Sequence, residues 1–369
     1  MLQLLLAVSL AALVGSIRPR TPPLSLDAFL SLPYRSHLTA CGDCAAWSES
    51  RRGLVNIFAA CGTDQTQSQT QLSHHDQDDG LAVFSIHFVN SCRHVVVSFG
   101  PTAAANPAHK ARVPAPFSTS VYAVDGTGGK TEIVPLVDAK VEAICEADSG
   151  SPVMTFVRDE GPVSFDGTVG HLSSASVYNL PLLQRSKRGP RNSVQGPKRL
   201  FSVKQGSLGD LVWSDNGAFL AFSNDRGTHS FIGIWRASDP ERIQWISPSA
   251  DYDVSPTISP DGSRIAWLRQ YGPKNEYDRY LGGHRGPSFS VMVAPVSSQQ
   301  ADIQTKASTV YTDVKYGYPD STSGYGKRSL TWLNNEAVVF GSEESSGWCH
   351  PFVANIKRSG EGFTADLRD

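Results

Sequence analysis

Three stretches of the chain share one pattern: Ser214-Asp215-Asn216-Gly217 before Ala221-Phe222, Ser259-Pro260-Asp261-Gly262 before Ala266-Trp267, and Cys41-Gly42-Asp43-Cys44 before Ala46-Trp47. In each stretch a tight polar turn leads into a short apolar strand that ends in an aromatic residue, and a second polar turn follows. The Asp-Gly or Asn-Gly corner supplies the positive φ that a hairpin turn needs. Because recurrence of such a unit is the sequence signature of a β-propeller, the pattern predicts that fold.

Six candidate repeat cores follow from this pattern, each placed on the last residues of a strand. They are Ala46-Trp47, Val95-Val96-Val97, Thr155-Phe156-Val157, Ala221-Phe222, Ala266-Trp267 and Val338-Val339-Phe340. They lie about 45 to 75 residues apart, against roughly 40 to 50 in common blades, so the longer gaps must hold loops, chiefly at 272–286 and near Arg188. The sequence therefore predicts an all-β propeller of about six to eight four-stranded blades over residues 36–369, with closure of the ring left open.

The composition describes an ordinary globular chain. Of 369 residues, 40% are hydrophobic and 18% are charged, a balance that argues against disorder. The net charge of -2 creates no strong field, so neither nucleic acid nor an anionic membrane is predicted as a partner. A local basic cluster is interpreted as a solvated loop, with a binding patch or a protease cleavage site at Lys187-Arg188 as alternatives. Its members are Arg185, Lys187, Arg188, Arg191, Lys198 and Arg199.

The N-terminus indicates export. Residues 2–14 form an apolar run that is too short to span a bilayer easily and is followed by small residues, which predicts a signal peptide over residues 1–16. No Lys or Arg precedes the run, so an uncleaved anchor and a buried segment stand as alternatives. Residues 17–35 are expected to form an extension with a short helix at 25–32, capped by Ser25. We predict a secreted or lumenal protein without a stable membrane span.

The chain has six cysteines, an even number that permits disulfides in an exported protein. They are Cys41, Cys44, Cys61, Cys92, Cys145 and Cys349. The sequence leaves their pairing open. Cys41 and Cys44 form a CxxC motif without a second pair or suitably spaced histidines, so we interpret them as structural parts of a repeat turn; a metal or redox site is the alternative.

Three further motifs superficially resemble catalytic, phosphate-binding or cation-binding sites. Residues 148–152 (DSGSP) look like the serine loop of trypsin-type proteases. The sequence shows no recognisable histidine base or orienting carboxylate to complete a catalytic triad, which favours a blade turn. Residues 126–131 (GTGGKT) lack the first glycine and the following helix of a phosphate-binding loop, which favours a hairpin turn. Residues 74–79 (HHDQDD) are interpreted as a solvated turn, with cation binding as the alternative. We assign no catalytic, metal-binding or cofactor-binding residue and expect no cofactor.

Several phrases, taken in order, resemble the N-terminal propeller of the prolyl oligopeptidase (S9) group of serine peptidases, closest to its dipeptidyl-peptidase-IV-like branch. The strongest stretch is 213–269, where NDRGTHSFIGIW at 224–235 is similar to the group's SDRGDHSFIG phrase. Three shorter motifs also resemble parts of the group's propeller. Residues 46–59 resemble its first blade, residues 78–80 (DDG) the start of its second blade, and residues 343–350 (EESSGWCH) a motif near its end. The resemblance covers roughly residue 26 to the C-terminus.

The resemblance implies a propeller of about eight blades that filters peptide substrates by size and caps a C-terminal α/β-hydrolase domain holding Ser, Asp and His. The sequence stops at Asp369, so we expect that domain to be absent and the chain to be inactive on its own. No Asp-Trp-x-Tyr-Glu-Glu phrase occurs, so dipeptidase specificity is not carried over. The predicted function is the substrate-gating propeller region of a secreted S9-type peptidase. One alternative is a stand-alone propeller that binds a peptide or protein partner, and another is a propeller of a different class, such as a lectin-like or periplasmic assembly module.

Overall fold

The computed structural model describes fifteen segments of the chain, and every structural statement below refers to them. They are residues 34–51, 54–62, 69–77, 81–101, 116–125, 131–137, 141–145, 152–162, 173–181, 197–270, 289–296, 307–313, 330–342, 350–360 and 362–368. These segments form strands, turns and bends. Within them no helix is long and apolar enough to cross a membrane.

The strands are numbered in chain order. The first twelve are β1 Tyr34–Cys41, β2 Cys44–Arg51, β3 Leu54–Cys61, β4 Thr70–Gln71, β5 Leu81–Val89, β6 His94–Pro101, β7 Pro116–Ala123, β8 Thr131–Val137, β9 Val141–Cys145, β10 Val153–Pro162, β11 Ser173–Pro181 and β12 Lys198–Val203. The other twelve are β13 Ser207–Trp213, β14 Phe219–Asp225, β15 Ser230–Arg236, β16 Asp239–Ile246, β17 Tyr252–Ile258, β18 Arg264–Gln270, β19 Phe289–Pro295, β20 Ser308–Asp313, β21 Leu330–Asn334, β22 Ala337–Ser342, β23 His350–Ser359 and β24 Gly362–Arg368.

The strands form six antiparallel four-stranded blades, each built from four consecutive strands. Blades 1 to 3 are β1–β4, β5–β8 and β9–β12, and blade 6 is β21–β24. Blades 4 (β13–β16) and 5 (β17–β20) are joined into one sheet by a single parallel pair, Ser230 with Tyr252. The predicted all-β propeller architecture is confirmed.

All six predicted repeat cores fall in the second strand of a blade: β2, β6, β10, β14, β18 and β22. They do not end these strands, as the sequence had suggested. β2 continues to Arg51 and β14 to Asp225, because polar residues beyond the aromatic stay paired with the neighbouring strand. The first strand begins at Tyr34, shortly before the expected domain boundary at residue 36.

The predicted turn chemistry is also confirmed. Gly42, Gly217 and Gly262 have φ values of 58°, 66° and 69°, and each lies in the turn between the first and second strands of its blade. Within two of these turns a serine closes the hairpin: the Gly217 N–H donates to the Ser214 carbonyl and the Gly262 N–H to the Ser259 carbonyl, both at 2.8 Å. Positive φ is the conformation that glycine adopts without steric cost.

The hydrophobic core lies between blades rather than within them. Five clusters of buried side chains join blade 1 to 2, 2 to 3, 3 to 4, 4 to 5 and 5 to 6. In blades 4 and 5 the alanine of the repeat faces the next blade and the aromatic residue faces the preceding one. Ala221 packs with blade 5 and Phe222 with blade 3, while Ala266 packs with blade 6 and Trp267 with blade 4. No such cluster of described residues joins blade 6 to blade 1.

Specific bonds also link each consecutive pair of blades. A disulfide between Cys41 and Cys92 joins blades 1 and 2. Further along, a peptide group, a hydroxyl or a carbonyl of one blade binds a side chain of its neighbour. These contacts are Ser85 Oγ to the Val141 carbonyl at 2.7 Å, Trp213 Nε1 to Thr155 Oγ1 at 2.8 Å, the Ser255 N–H to Asp210 Oδ2 at 3.1 Å, and Trp332 Nε1 to the Thr257 carbonyl at 3.2 Å.

Several predictions fall outside the described residues. They are the signal peptide at 1–16, most of the 17–35 extension with its helix, the 148–151 turn, the loops at 272–286 and around Arg188, the DDG phrase at 78–80 and the phrase at 343–349. The hairpin predicted around 126–131 is confirmed by its strands, because β7 and β8 pair antiparallel up to Val121 with Thr131.

Candidate functional site

Charged or amide side chains occupy one equivalent position in four blades, two residues after the aromatic residue of the repeat. They are Glu49, Arg158, Asn224 and Arg269, which follow Trp47, Phe156, Phe222 and Trp267. Because residues i and i+2 of a strand share a face, each lies on the same face of its blade as its aromatic neighbour, and in blades 3, 4 and 5 that face packs against the preceding blade. Blades repeat around an axis, so these positions lie on one side of the propeller, where the second strands end. We call this set the polar ring and this side the polar face.

Glu49 is buried and binds two arginines of its own blade. Arg35 Nε donates to Glu49 Oε2 at 2.9 Å, and Arg51 Nε donates to Oε1 at 2.7 Å. The Arg35 guanidinium also lies 5.2 Å from the centre of the Trp47 ring. Burial alone would raise the pKa of Glu49, but the hydrogen bonds from the two arginines outweigh it and hold the pKa below its ordinary value.

Asn224 is fully buried and connects blade 4 to the chain that enters it. Its Nδ2 donates to the carbonyls of Gln205 at 3.0 Å and Ser207 at 3.2 Å. Its Oδ1 accepts from Arg226 Nε at 2.9 Å. The Arg226 guanidinium lies over the rings of Phe231 and Trp245, at 4.8 and 5.5 Å. An arginine is thereby fixed at the rim of the polar face.

Arg269 is paired inside blade 5. Its Nε and Nη2 bind the two carboxylate oxygens of Asp253 at 2.8 and 2.9 Å, and Nη2 also donates to the Ser247 carbonyl at 2.7 Å. Burial raises the pKa of Asp253, and the Arg269 charge opposes that rise. Tyr252 precedes Asp253 at the start of β17, and its hydroxyl donates to the Asp225 carboxylate of blade 4.

Arg158 differs from the other members of the polar ring. Its guanidinium lies next to two rings that stack on each other with centres 5.7 Å apart, at 5.4 Å from the Phe156 ring centre and 5.3 Å from that of Tyr178. No carboxylate among the described residues pairs with it. Its Nε–H is buried and has no hydrogen-bond acceptor. Packing against the two rings thus helps to position a permanently charged group.

Two motifs considered in the sequence, the histidine-aspartate stretch and the CxxC motif, include residues that the structure describes. His75 packs against Phe99 of blade 2, with ring centres 5.8 Å apart. The backbone N–H of His75 donates to Asn56 Oδ1 at 2.8 Å. Cys41 pairs with Cys92, and Cys44 pairs with Cys61, which confirms the structural interpretation of the CxxC motif. Among the described residues no group of three or more His, Cys, Asp or Glu side chains is placed to hold a metal ion.

Sequence reasoning did not find the polar ring. Each member stands just beyond a repeat core that had been located correctly, and counting two residues past each aromatic would have exposed the set. Their partners could not be inferred in this way, because Asn224 and Gln205 are 19 residues apart and Arg269 and Ser247 are 22 apart.

Comparison with known proteins gives no sequence relative. No family model matches the chain, and no curated protein matches it. Among solved structures, it is similar to oligogalacturonate lyase from Vibrio parahaemolyticus, with 11% identity, a TM-score of 0.55, and 85% of this chain and 75% of the lyase covered.

Two peptidases are also similar in structure. An acylaminoacyl peptidase in complex with Z-Gly-Gly-Phe-chloromethyl ketone shows 11% identity and a TM-score of 0.52, with 93% of this chain and 49% of the peptidase covered. Prolyl oligopeptidase B from Galerina marginata, bound to a 35mer substrate, shows 9% identity and a TM-score of 0.51, with 91% and 47% covered. The chain thus spans about half the length of these peptidases. At such identities the likeness shows a shared propeller fold.

Proposed function

We propose that this chain is the substrate-gating propeller region of a secreted serine peptidase of the prolyl oligopeptidase group, in its dipeptidyl-peptidase-IV-like branch. In this proposal the propeller admits extended peptides and excludes folded proteins, and it has no peptidase activity by itself. The observation that carries the proposal is the polar ring, which gathers charged and amide groups of four blades on one side of an all-β body.

The chemistry of the polar face suits a peptide. An extended peptide presents carbonyls, N–H groups and terminal charges, and each of these needs a polar partner when it leaves water. Arg158 and Arg226 present donors that packing holds in position, which lowers the entropic cost of binding. The ordered phrases in 213–269 and the likeness to two peptidase propellers support a peptide ligand over the saccharide that the lyase name suggests.

Secretion is part of the proposal. Disulfides form and persist in oxidising compartments and are rare in the cytosol. The two disulfides of blades 1 and 2 support export, together with the apolar run at 2–14.

The test is a calorimetric titration of the purified chain with one small protein in two forms. The reduced and alkylated, unfolded form should bind with a Kd of about 1 mM or tighter, and the folded form should not bind. Peptide products should not accumulate during the experiment. Equal binding of both forms would contradict gating, and binding of oligogalacturonate without binding of the unfolded protein would overturn the peptidase proposal.

A further inference from the structure

We propose that the two disulfides of blade 1 form a thiol–disulfide exchange site, in which the bond that joins blades 1 and 2 is replaced by a bond within one hairpin. The cysteines involved are Cys41, Cys44, Cys61 and Cys92. In the exchanged form Cys41 pairs with Cys44, while Cys61 and Cys92 are thiols. The inference goes beyond the proposed function, because it concerns the covalent state of the propeller and holds for any ligand.

Three of the four cysteines lie side by side on blade 1. Cys41 is directly opposite Cys44 in the pairing of β1 with β2, and Cys44 is directly opposite Cys61 in the pairing of β2 with β3. Residues that are opposite each other in an antiparallel pair share one face of the sheet, with Cβ atoms about 4.5 to 5.5 Å apart. The three side chains therefore form a row with Cys44 in the middle.

Both neighbours of Cys44 in this row are within reach of a disulfide. Opposite residues of an antiparallel pair have Cα atoms about 4.5 to 5.5 Å apart, and disulfides usually span about 4.4 to 6.8 Å between Cα atoms. In the structure Cys44 is bonded to Cys61, and Cys41 is bonded to Cys92 of blade 2. The strand register already places Cys41 opposite Cys44, so the alternative bond needs side-chain rotation but no new strand pairing.

The turn that holds Cys92 favours its release. Asn90, Ser91 and Cys92 have φ values of 55°, 52° and 66°. This left-handed conformation is sterically unfavourable for residues other than glycine. Because the bond to Cys41 anchors the end of this turn, breaking it lets the turn relax. Cys41 and Cys92 are only half-buried and have exposed chain neighbours, so a reductant reaches their bond.

A dithiol starts the exchange, and the electrons balance. One thiolate of the dithiol attacks Cys92, and its second thiol then closes the dithiol to a disulfide. Cys41 and Cys92 are now thiols that have received two electrons and two protons from the dithiol. The Cys41 thiolate next attacks Cys44 Sγ, and Cys61 leaves as a thiolate that takes up the proton lost by Cys41. Reduction of the Cys44–Cys61 bond first gives the same product, because the Cys44 thiolate then attacks Cys41.

The test is partial reduction of the wild-type chain with limiting dithiothreitol, followed by N-ethylmaleimide in acidic buffer and peptide mass spectrometry. Cleavage after arginine and before aspartate separates the four cysteines, because one of these residues lies between each successive pair. We expect peptides linked through Cys41 and Cys44, with labels on Cys61 and Cys92. Labels confined to one original pair, with the other disulfide intact, would overturn the inference, as would loss of both disulfides without this linked species.

Two matched variants test the role of the strand register. Cys92→Ser and Cys41→Ser both remove the disulfide between the blades, but they leave the remaining thiol in different places. In Cys92→Ser the Cys41 thiol lies opposite Cys44, so the Cys41–Cys44 link should form without reductant, and both Cys41 and Cys61 should be labelled. In Cys41→Ser the remaining thiol is on blade 2, and the Cys44–Cys61 bond should stay intact. Disulfide exchange to the same extent in both variants, or in neither, would contradict the proposal.

The exchange changes how blade 1 is held, since the new bond lies within the hairpin of β1 and β2. The Arg93 N–H, which donates to the Asn90 carbonyl at 3.2 Å, reports on the released turn. After partial reduction of the wild-type chain, hydrogen–deuterium exchange of this amide should be faster, whereas amides of β2 and β3 should be unchanged. An unchanged Arg93 amide in molecules that carry the Cys41–Cys44 link would show that the exchange does not release blade 2.

Discussion

Arg269 and Asp253 form a two-point ion pair across β18 and β17, with Nε–Oδ1 and Nη2–Oδ2 distances of 2.8 and 2.9 Å. The Asp253 side chain is fully buried and that of Arg269 is 10% exposed. Asp253→Asn leaves the arginine charge without compensation, so the free energy of unfolding should fall by about 3 to 5 kcal/mol. Urea denaturation measures this change.

The matched control for that pair is on the surface of blade 6. Lys357 and Asp366 form an ion pair whose side chains are 64% and 62% exposed. Asp366→Asn should change stability by no more than about 1 kcal/mol, since water screens an exposed pair. Similar losses in the two variants would contradict the claim that Asp253 and Arg269 act as a buried pair.

Thr155 connects blades 3 and 4 through its hydroxyl. It accepts from Trp213 Nε1 at 2.8 Å and donates to Asn179 Oδ1 at 2.8 Å. Thr155→Val keeps the shape but removes these bonds, and we expect a loss of about 1 to 3 kcal/mol in a thermal or urea melt. Thr364→Val, at an exposed position of β24, should stay within about 0.5 kcal/mol of wild type. A neutral result at Thr155 would show that the bonds do not stabilise the interface between the two blades.

Gly233 leaves room for the aromatic residue of blade 4. A Cβ at this position would lie 2.4 Å from Cζ of Phe222, whereas a Cβ at Gly209 would lie 3.6 Å from Ser223 Oγ, an ordinary contact. Gly233→Ala should therefore destabilise by about 1 to 3 kcal/mol through overpacking, and Gly209→Ala should cost much less. The two melting curves test the prediction, and a reversal of their order would contradict the packing described for Phe222.

The pKa of Glu49 lies below its ordinary value, which makes its contribution to stability dependent on pH. A lowered pKa in the folded state gives stabilisation that is complete above the pKa of the unfolded chain and is lost as pH falls through the folded value. Glu49→Gln should thus be less stable than wild type at pH 7, and the difference should shrink below about pH 4. Denaturation at several pH values measures it; a difference that is constant down to pH 2 would refute the role of the carboxylate charge.

The two disulfides close loops of different length. Cys41 and Cys92 are 51 residues apart in sequence, and Cys44 and Cys61 are 17 apart. Loop-closure entropy predicts about 4 kcal/mol for the first and about 3 kcal/mol for the second. The double variant Cys41→Ser with Cys92→Ser should consequently melt at a lower temperature than Cys44→Ser with Cys61→Ser, and the opposite order would contradict this account.

The sequence predicted the repeat well because the repeat is local. The turn at Ser259-Pro260-Asp261-Gly262 and the Ala266-Trp267 pair lie within one hairpin, so their spacing alone indicates it. What the sequence did not predict depends on contacts between blades. The Trp213–Thr155 bond joins residues 58 apart, and the Cys41–Cys92 disulfide was one of several open pairings. Arg158 gives no sequence signal, because its distinguishing feature is the lack of an acceptor in the fold.

The most direct test of the central claim, that peptides bind at the polar face, is hydrogen exchange followed by mass spectrometry with and without a saturating peptide mixture. Slower exchange is predicted near the polar ring, in segments 34–37, 154–158, 224–231 and 252–254. The turns at 214–218 and 259–263, on the opposite side, should be unchanged. Protection confined to those turns, or no protection despite measurable binding, would contradict the account.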